Sequence, residues 1–281
     1  MIISVASGKG GTGKTTVATN LAFSLEKDVQ ILDCDVEEPN AHLFLHPNIK
    51  DRMSAFTPVP EIDKEKCIYC KKCSDICRFN AIAVLKDIIL TFPELCHSCG
   101  GCMEVCPEKA ISETGRELGV VERGMAGSVG FVHGRLRIGE AMSPPLIKKV
   151  RSFIVDNIVN IIDAPPGTSC PVITAMKKTD YVLMVTEPTP FGLHDLKLAV
   201  EAVKILGIPH GLVINRSDIG DNGVKDYAKK EDIPILMEIP FDRKIAEAYS
   251  NGKLVVQEMP EWKEEFLALY RKIEKLVGQR R

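Results

Sequence analysis

Residues 8–16 read GKGGTGKTT, and this stretch decides the fold. It follows the apolar run 1–5, fits G-x-x-x-x-G-K-[ST] at every position, and opens a helical pattern at Val17, Ala18, Leu21, Ala22 and Leu25. The arrangement predicts a strand, a phosphate loop and a helix. Gly8, Gly10, Gly11 and Gly13, with Thr12 among them and Thr16 just beyond, let consecutive backbone N–H groups turn inward on a phosphate. The helix then points its positive end at the same charge. Lys14 is placed to reach the β- and γ-phosphates and the Thr15 hydroxyl to bind Mg²⁺. The competing reading, a Gly-rich turn that binds nothing, leaves the lysine–hydroxyl pair without a purpose.

At 281 residues, 45% hydrophobic, the chain has room for one large core or a core with a small satellite. A net charge of −2 gives no reason to expect a nucleic-acid or anionic-membrane partner. Met1 leads straight into the first strand without a basic leader, and no apolar run approaches the ~18 residues of a membrane span. The expectation is a soluble, cytoplasmic protein, with membrane association disfavoured. In that reducing compartment ten cysteines, eight of them in two tight groups, read as metal ligands instead of disulfides.

Those groups are Cys67, Cys70, Cys73 and Cys77, spaced C-x2-C-x2-C-x3-C, and the same spacing again at Cys96, Cys99, Cys102 and Cys106, followed by Pro107. This is the bacterial two-cluster ferredoxin spacing, duplicated around a strand-like run at 83–92. Three cysteines spaced by two wrap one face of a cubane, and the fourth points to the other cluster. The expected sharing is Cys67, Cys70, Cys73 and Cys106 on one [4Fe-4S] cluster, with Cys96, Cys99, Cys102 and Cys77 on the other. Zinc is the alternative, but zinc knuckles have no use for a close third cysteine repeated twice. His97 reads as a loop residue, since four thiolates are already at hand.

Elsewhere a buried strand at 29–32 ends at Asp33-Cys34-Asp35. Asp35 is a candidate to position an attacking water, against the commoner fate of a loop or N-cap acid. Cys34 reads as a small strand-end residue. Residues 53–60, with Pro58 and Pro60, read as a linker. Glycines around 120–138 suggest short strands or loops, and 144–155 a helix. The strand 158–162 ends at Asp163-Ala164-Pro165-Pro166-Gly167, a Walker-B acid for Mg²⁺ with a glycine suited to sensing the γ-phosphate. Strands and helices then alternate to 239, so the sheet is mostly parallel with helices on its faces. Asn215, at a strand end, suits an adenine edge or a turn cap. The amphipathic stretch 261–277 favours packing on the sheet over a membrane-surface role.

With Lys9 before Gly10-Gly11, the loop resembles the K-G-G-x-G-K-T "deviant Walker A" of the MinD/ParA/Mrp ATPases, a group that includes the nitrogenase iron protein. Asp33-x-Asp35, Asp163-x-Pro-Pro-Gly and Ile214-Asn215-Arg216 are similar to that family's switch I, switch II and adenine-contacting positions. The whole chain resembles the subset with an inserted ferredoxin domain. The resemblance implies an α/β P-loop ATPase in two parts, 1–60 and 114–281, around a small α+β ferredoxin-like insert at 61–113. It also implies ATP/ADP and Mg²⁺ as ligands and a nucleotide-dependent homodimer in which Lys9 reaches the partner's phosphates. Cys170, seven residues after Asp163, is spaced like the iron protein's switch II cysteine, with a small buried thiol as the plainer reading. Mrp-type carriers end in a C-x2-C that is missing here. The leading expectation is an ATPase, slow without its partner, that gates electron transfer from its clusters to a redox protein. The alternative is ATP-dependent cluster assembly or delivery to a cluster-accepting protein.

Overall fold

The structure, a computed structural model, describes residues 1–26 and 28–279. Strand β1 (Ile2–Ala6) precedes the phosphate loop and α1 (Lys14–Leu25) follows it. Then come β2 (Val29–Asp33), α2 (His42–Leu45), β3 (Asn48–Ile62), α3 (Lys72–Ile76), β4 (Ile82–Leu85), β5 (Ile88–Thr91), α4 (Gly101–Glu104), β6 (Ile111–Ala126) and β7 (Val129–Leu136). The chain closes with α5 (Pro144–Arg151), β8 (Val159–Asp163), α6 (Cys170–Met176), β9 (Tyr181–Thr186), α7 (Pro190–Leu206), β10 (His210–Asn215), α8 (Gly223–Lys230), β11 (Ile235–Ile239), α9 (Arg243–Ser250), α10 (Val255–Glu258) and α11 (Glu261–Gly278).

The described residues form one nine-stranded sheet, ordered β11-β10-β9-β1-β8-β2-β7-β6-β3, and a separate β4-β5 hairpin. Every pairing from β11 to β7 is parallel, whereas β6 runs antiparallel to both β7 and β3. Strands β1, β2, β8 and β9 are apolar almost throughout because helices cover both faces. Successive side chains feed opposite layers: on β8, Ile161 joins the core with α1 and α11, and Ile162 joins the core with α5, α6 and α7. The apolar stripe of α11, Phe266, Leu269, Ile273 and Val277, is buried in the first of these. No helix among the described residues is long and apolar enough to cross a membrane.

Two expectations need correction. Residues 53–60 are not a linker: β3 runs through them and pairs with β6 from Asn48↔Met125 to Ile62↔Ile111, with irregularities after Ile49 and Ala55. Pro58 and Pro60 prompted that reading, yet β3 is an edge strand. The two prolines have the same parity, so both lie on its unpaired side and remove no ladder bond. The glycine-broken region 120–138 likewise forms two continuous strands, β6 and β7, with the turn at Gly127 and Ser128 between them and Arg137 and Ile138 beyond the end of β7.

The β3–β6 ribbon extends the parallel sheet as an arm. Residues 63–110 leave it at Ile62 and return at the paired Ile111, carrying α3, the hairpin and α4 around a small core of Cys73, Ile82, Val84 and Ile89.

Candidate functional site

The phosphate loop lies beyond the C-terminal end of β1. A methyl group on Gly8 would sit 2.3 Å from the Asp195 carbonyl oxygen on α7, so nothing larger than glycine fits. Gly13 has φ +91° and its missing Cβ would lie 2.5 Å from Asn215 Nδ2. Beside the loop opens a cleft of about 350 Å³ lined by Gly10, Gly11, Gly13, Lys14, Thr15, Thr16, Asp35, Asn215 and Arg216. Its far end is apolar, built from Pro240, Phe241, Ile245, Tyr249 and Trp262. That wall comes from the connection after β11, from α9 and from α11, all distant in sequence from the loop. The volume falls in the range of small-ligand pockets.

Four residues singled out in sequence meet at one point. Asp163, fully buried at the end of β8, accepts from Lys14 Nζ at 2.6 Å through one oxygen and from Thr15 Oγ1 at 2.7 Å through the other. Asp35 Oδ2 lies 4.0 Å from the same Nζ. Burial works against the Lys14 charge, but Asp163, Asp35 and Asp33 outweigh it and hold its pKa above the ordinary lysine value. Burial, reinforced by Asp163, pushes Asp35 up to about 6 and Asp33 up to about 8, with Lys14 opposing both. Asp33 does not face the cleft. It accepts the backbone N–H groups of Asp35, Asn40 and Ala41 at 3.0–3.1 Å and so shapes the loop that presents Asp35. Cys34 is fully buried and its thiol is pushed up by burial and by Asp33.

Lys9 is turned to another acid. Its Nζ lies 3.6 Å from Glu187 Oε2, and Arg216 Nη1 lies 3.0 Å from Glu187 Oε1. Glu187 was not singled out in sequence; the signal was an acid interrupting the end of the wholly buried strand β9. Asn215 donates Nδ2 to the Thr12 carbonyl at 2.9 Å and accepts Arg216 N–H at 3.0 Å, so it braces the loop from behind. Gly167 has φ +96° and gives its N–H to the Ser7 carbonyl at 2.9 Å, tying the segment after β8 to the phosphate loop. Cys170, at the start of α6, is exposed, which overturns the expectation of a small buried thiol.

The eight cysteines of the arm line two separate cavities. One is bounded by Cys67, Cys70, Cys73 and Cys106, the other by Cys77, Cys96, Cys99 and Cys102. Three sulfurs accept backbone N–H groups: Cys77 from Ala81 at 3.3 Å, Cys96 from Ser98 at 3.4 Å and Cys106 from Ala110 at 3.2 Å. Phe79 stacks on His97 with ring centroids 3.5 Å apart, beside the second cavity. Among the described residues no three His, Cys, Asp or Glu side chains are gathered as a ready site for a metal ion.

A phosphate loop, a strand-end acid bound to its lysine and hydroxyl, and a cleft at the C-terminal ends of parallel strands define a P-loop nucleotide-binding protein of the α/β class. Residues 3–255 match the family described as the CobQ/CobB/MinD/ParA nucleotide binding domain. The chain belongs to that family and is an ATPase of it. A Methanocaldococcus jannaschii protein named only as uncharacterised is 32% identical over 282 residues, 99% of this chain and 98% of that one. An "Iron-sulfur cluster carrier protein" of Pyrococcus horikoshii is 28% identical over 281 residues, 90% of this chain and 78% of that protein. Among solved structures, the septum site-determining protein MinD of Pyrococcus horikoshii, complexed with Mg-ADP, superposes with a TM-score of 0.62 at 23% identity, covering 100% of this chain and 98% of that one.

Proposed function

We propose that this chain is an ATP-driven iron–sulfur protein whose nucleotide cycle controls two [4Fe-4S] clusters on residues 61–113, and that it serves cluster assembly or delivery. The observation that carries the reading is the division of the eight cysteines between two cavities. Each takes three thiols from one motif and the fourth from the other, the sharing that the spacing implies. Soft thiols, with N–H donors on three of them, form a donor set that fits such clusters. Relatives named as cluster carriers, and a cytosolic Fe-S cluster assembly factor homolog of Anopheles gambiae, favour assembly or delivery. So does the exposure of one thiol in each quartet, Cys70 and Cys99, where an acceptor's ligands can attack.

In this reading Lys14 and the loop N–H groups stabilise the charge of phosphoryl transfer and Asp35 orients the water, while Thr15 and Asp163 would hold Mg²⁺, which when bound would neutralise phosphate charge. Lys9 leaves Glu187 to reach the phosphates of a second copy, so ATP favours a homodimer. Arg216 and the apolar wall receive the base. Gly167, released from Ser7, senses the γ-phosphate, and the strand arm carries the change outward.

Electron transfer to a redox partner is the second reading, favoured by four protein thiols in each cavity, which leave no open position for hand-over. Mixing the anaerobic, cluster-loaded protein with an apo-ferredoxin separates the two. Delivery predicts that clusters pass to the acceptor faster with Mg-ATP; clusters that stay in place under every nucleotide condition contradict it.

A further inference from the structure

We propose that Arg116 and Glu140 are a mutually neutralising positioning pair beside the second quartet, so that the charge next to Cys96 depends on keeping both members while the first quartet is indifferent to them. The inference rests on the cluster reading above. Arg116 stands on β6 directly opposite Thr57 of β3. Thr57 Oγ1 lies 2.7 Å from Ser98 Oγ, Ser98 Oγ donates to the Pro58 carbonyl at 2.6 Å, and Ser98 N–H donates to Cys96 Sγ at 3.4 Å. The strand pair bearing Arg116 is therefore laced to the Cys96 loop.

The guanidinium is only 9% exposed and the Glu140 carboxylate 1%. Its two terminal nitrogens bond that carboxylate, Nη2 to Oε1 at 3.1 Å, while the buried Nε has no partner. The bond to Glu140 chiefly, against burial, holds the Arg116 pKa above its usual value, with smaller contributions from Glu94 and Cys96. Glu140 is fixed from the ATPase side. It accepts Met142 N–H at 3.2 Å just before α5, and Arg151 of α5 donates to the Thr174 and Ala175 carbonyls of α6 at 2.6 and 2.8 Å.

Among the described residues the first quartet has no counterpart to this pair. Its cavity rests on Ile62, Val84, Ile89 and Ile111, and its cations, Lys71 and Lys72, are exposed and screened by solvent. A desolvated cation beside a cluster favours the reduced, more negative form, and a desolvated anion disfavours it. Within the intact pair the two nearly cancel, so removing either member unmasks the other.

The test is an anaerobic EPR-monitored redox titration of the whole cluster-loaded chain, with the waves assigned through Cys70→Ser and Cys99→Ser. Arg116→Gln leaves Glu140 unmasked and moves the second quartet's potential downward. Glu140→Gln leaves Arg116 unmasked and moves it upward. The double variant returns toward the parent value, Arg116→Lys lies between parent and Arg116→Gln, and the first quartet's potential stays fixed throughout. Shifts of the same sign in both single variants, equal shifts at both clusters, or no shift would overturn the proposal, because a purely structural pair has no sign to reverse. A parent protein that binds no iron–sulfur cluster would overturn the cluster reading itself, a result distinct from clusters that are present but indifferent to these variants.

Discussion

Lys14 is buried against two carboxylates, and removing its charge has a cost that can be worked out. Its Nζ lies 2.6 Å from Asp163 and 4.0 Å from Asp35. At an effective dielectric constant of about 20 those contacts amount to about 6 and 4 kcal/mol. Desolvating the groups returns much of this, and deleting one partner of such a buried set costs about 3–5 kcal/mol. Lys14→Met keeps the side-chain volume and should lower nucleotide-free stability by that amount near pH 8.5.

The loss should shrink in acid. Asp35, at about 6, and Asp33, at about 8, both lie above their ordinary 3.8, so each favours folding fully below that value and gives up this contribution as pH rises through its native pKa. Lys14 lowers both values and limits that loss. Without it both pKa values move up, and the gap between parent and variant widens from pH 5 to 8.5. Urea unfolding under anaerobic conditions, followed by Trp262, the chain's single tryptophan and packed against the ATPase core, measures it. Lys14→Met with Asp163→Asn should cost less than the sum of the two single changes. Additive losses, or a Lys14→Met loss that is below about 0.5 kcal/mol or independent of pH, would refute the reasoning.

Gly13→Ala places a methyl where Asn215 Nδ2 stands and forces a side chain into φ +91°. It should cost about 1–2 kcal/mol in backbone strain alone and abolish calorimetrically detectable ATP binding. Lys9→Ala should leave nucleotide affinity near that of the parent yet remove the ATP-dependent dimer in light scattering, since Lys9 lies outside the cleft lining and its ammonium is paired with Glu187. Cys70→Ser and Cys99→Ser should each remove or convert one cluster and spare the other, read from iron content and EPR. Simultaneous loss of both clusters in either variant would contradict two independent cavities.

The parallel sheet was legible because its information is local. Residues 8–16 carry the loop in one stretch, and the strands at 181–186 and 235–239 coincide with β9 and β11 because each is a short apolar run bounded by turn residues. The edge strand β3 was not legible, since a proline's cost depends on which side of the sheet its nitrogen faces, a fact set by β6 some sixty residues away. The same limit hid Glu187, Arg116 and Glu140. Each is an ordinary charged residue in sequence, and only the fold brings it to an opposite charge distant in sequence. Asn215 was legible as a strand-end residue, but not as the brace of the phosphate loop, because Thr12 lies 203 positions away. The cysteine motifs announced a pair of quartets, and the division between cavities follows from α3, α4 and the hairpin folding between paired Ile62 and Ile111.

The central claim is that nucleotide at the phosphate loop governs clusters on the arm. Its most direct test is Mössbauer and EPR spectroscopy of the anaerobically purified protein without nucleotide, with Mg-ADP and with a non-hydrolysable Mg-ATP analogue. The account predicts two [4Fe-4S] signals, at least one of which changes with the ATP analogue and reverts with ADP. Protein without iron–sulfur signals, or with two signals identical under all three conditions, would contradict it.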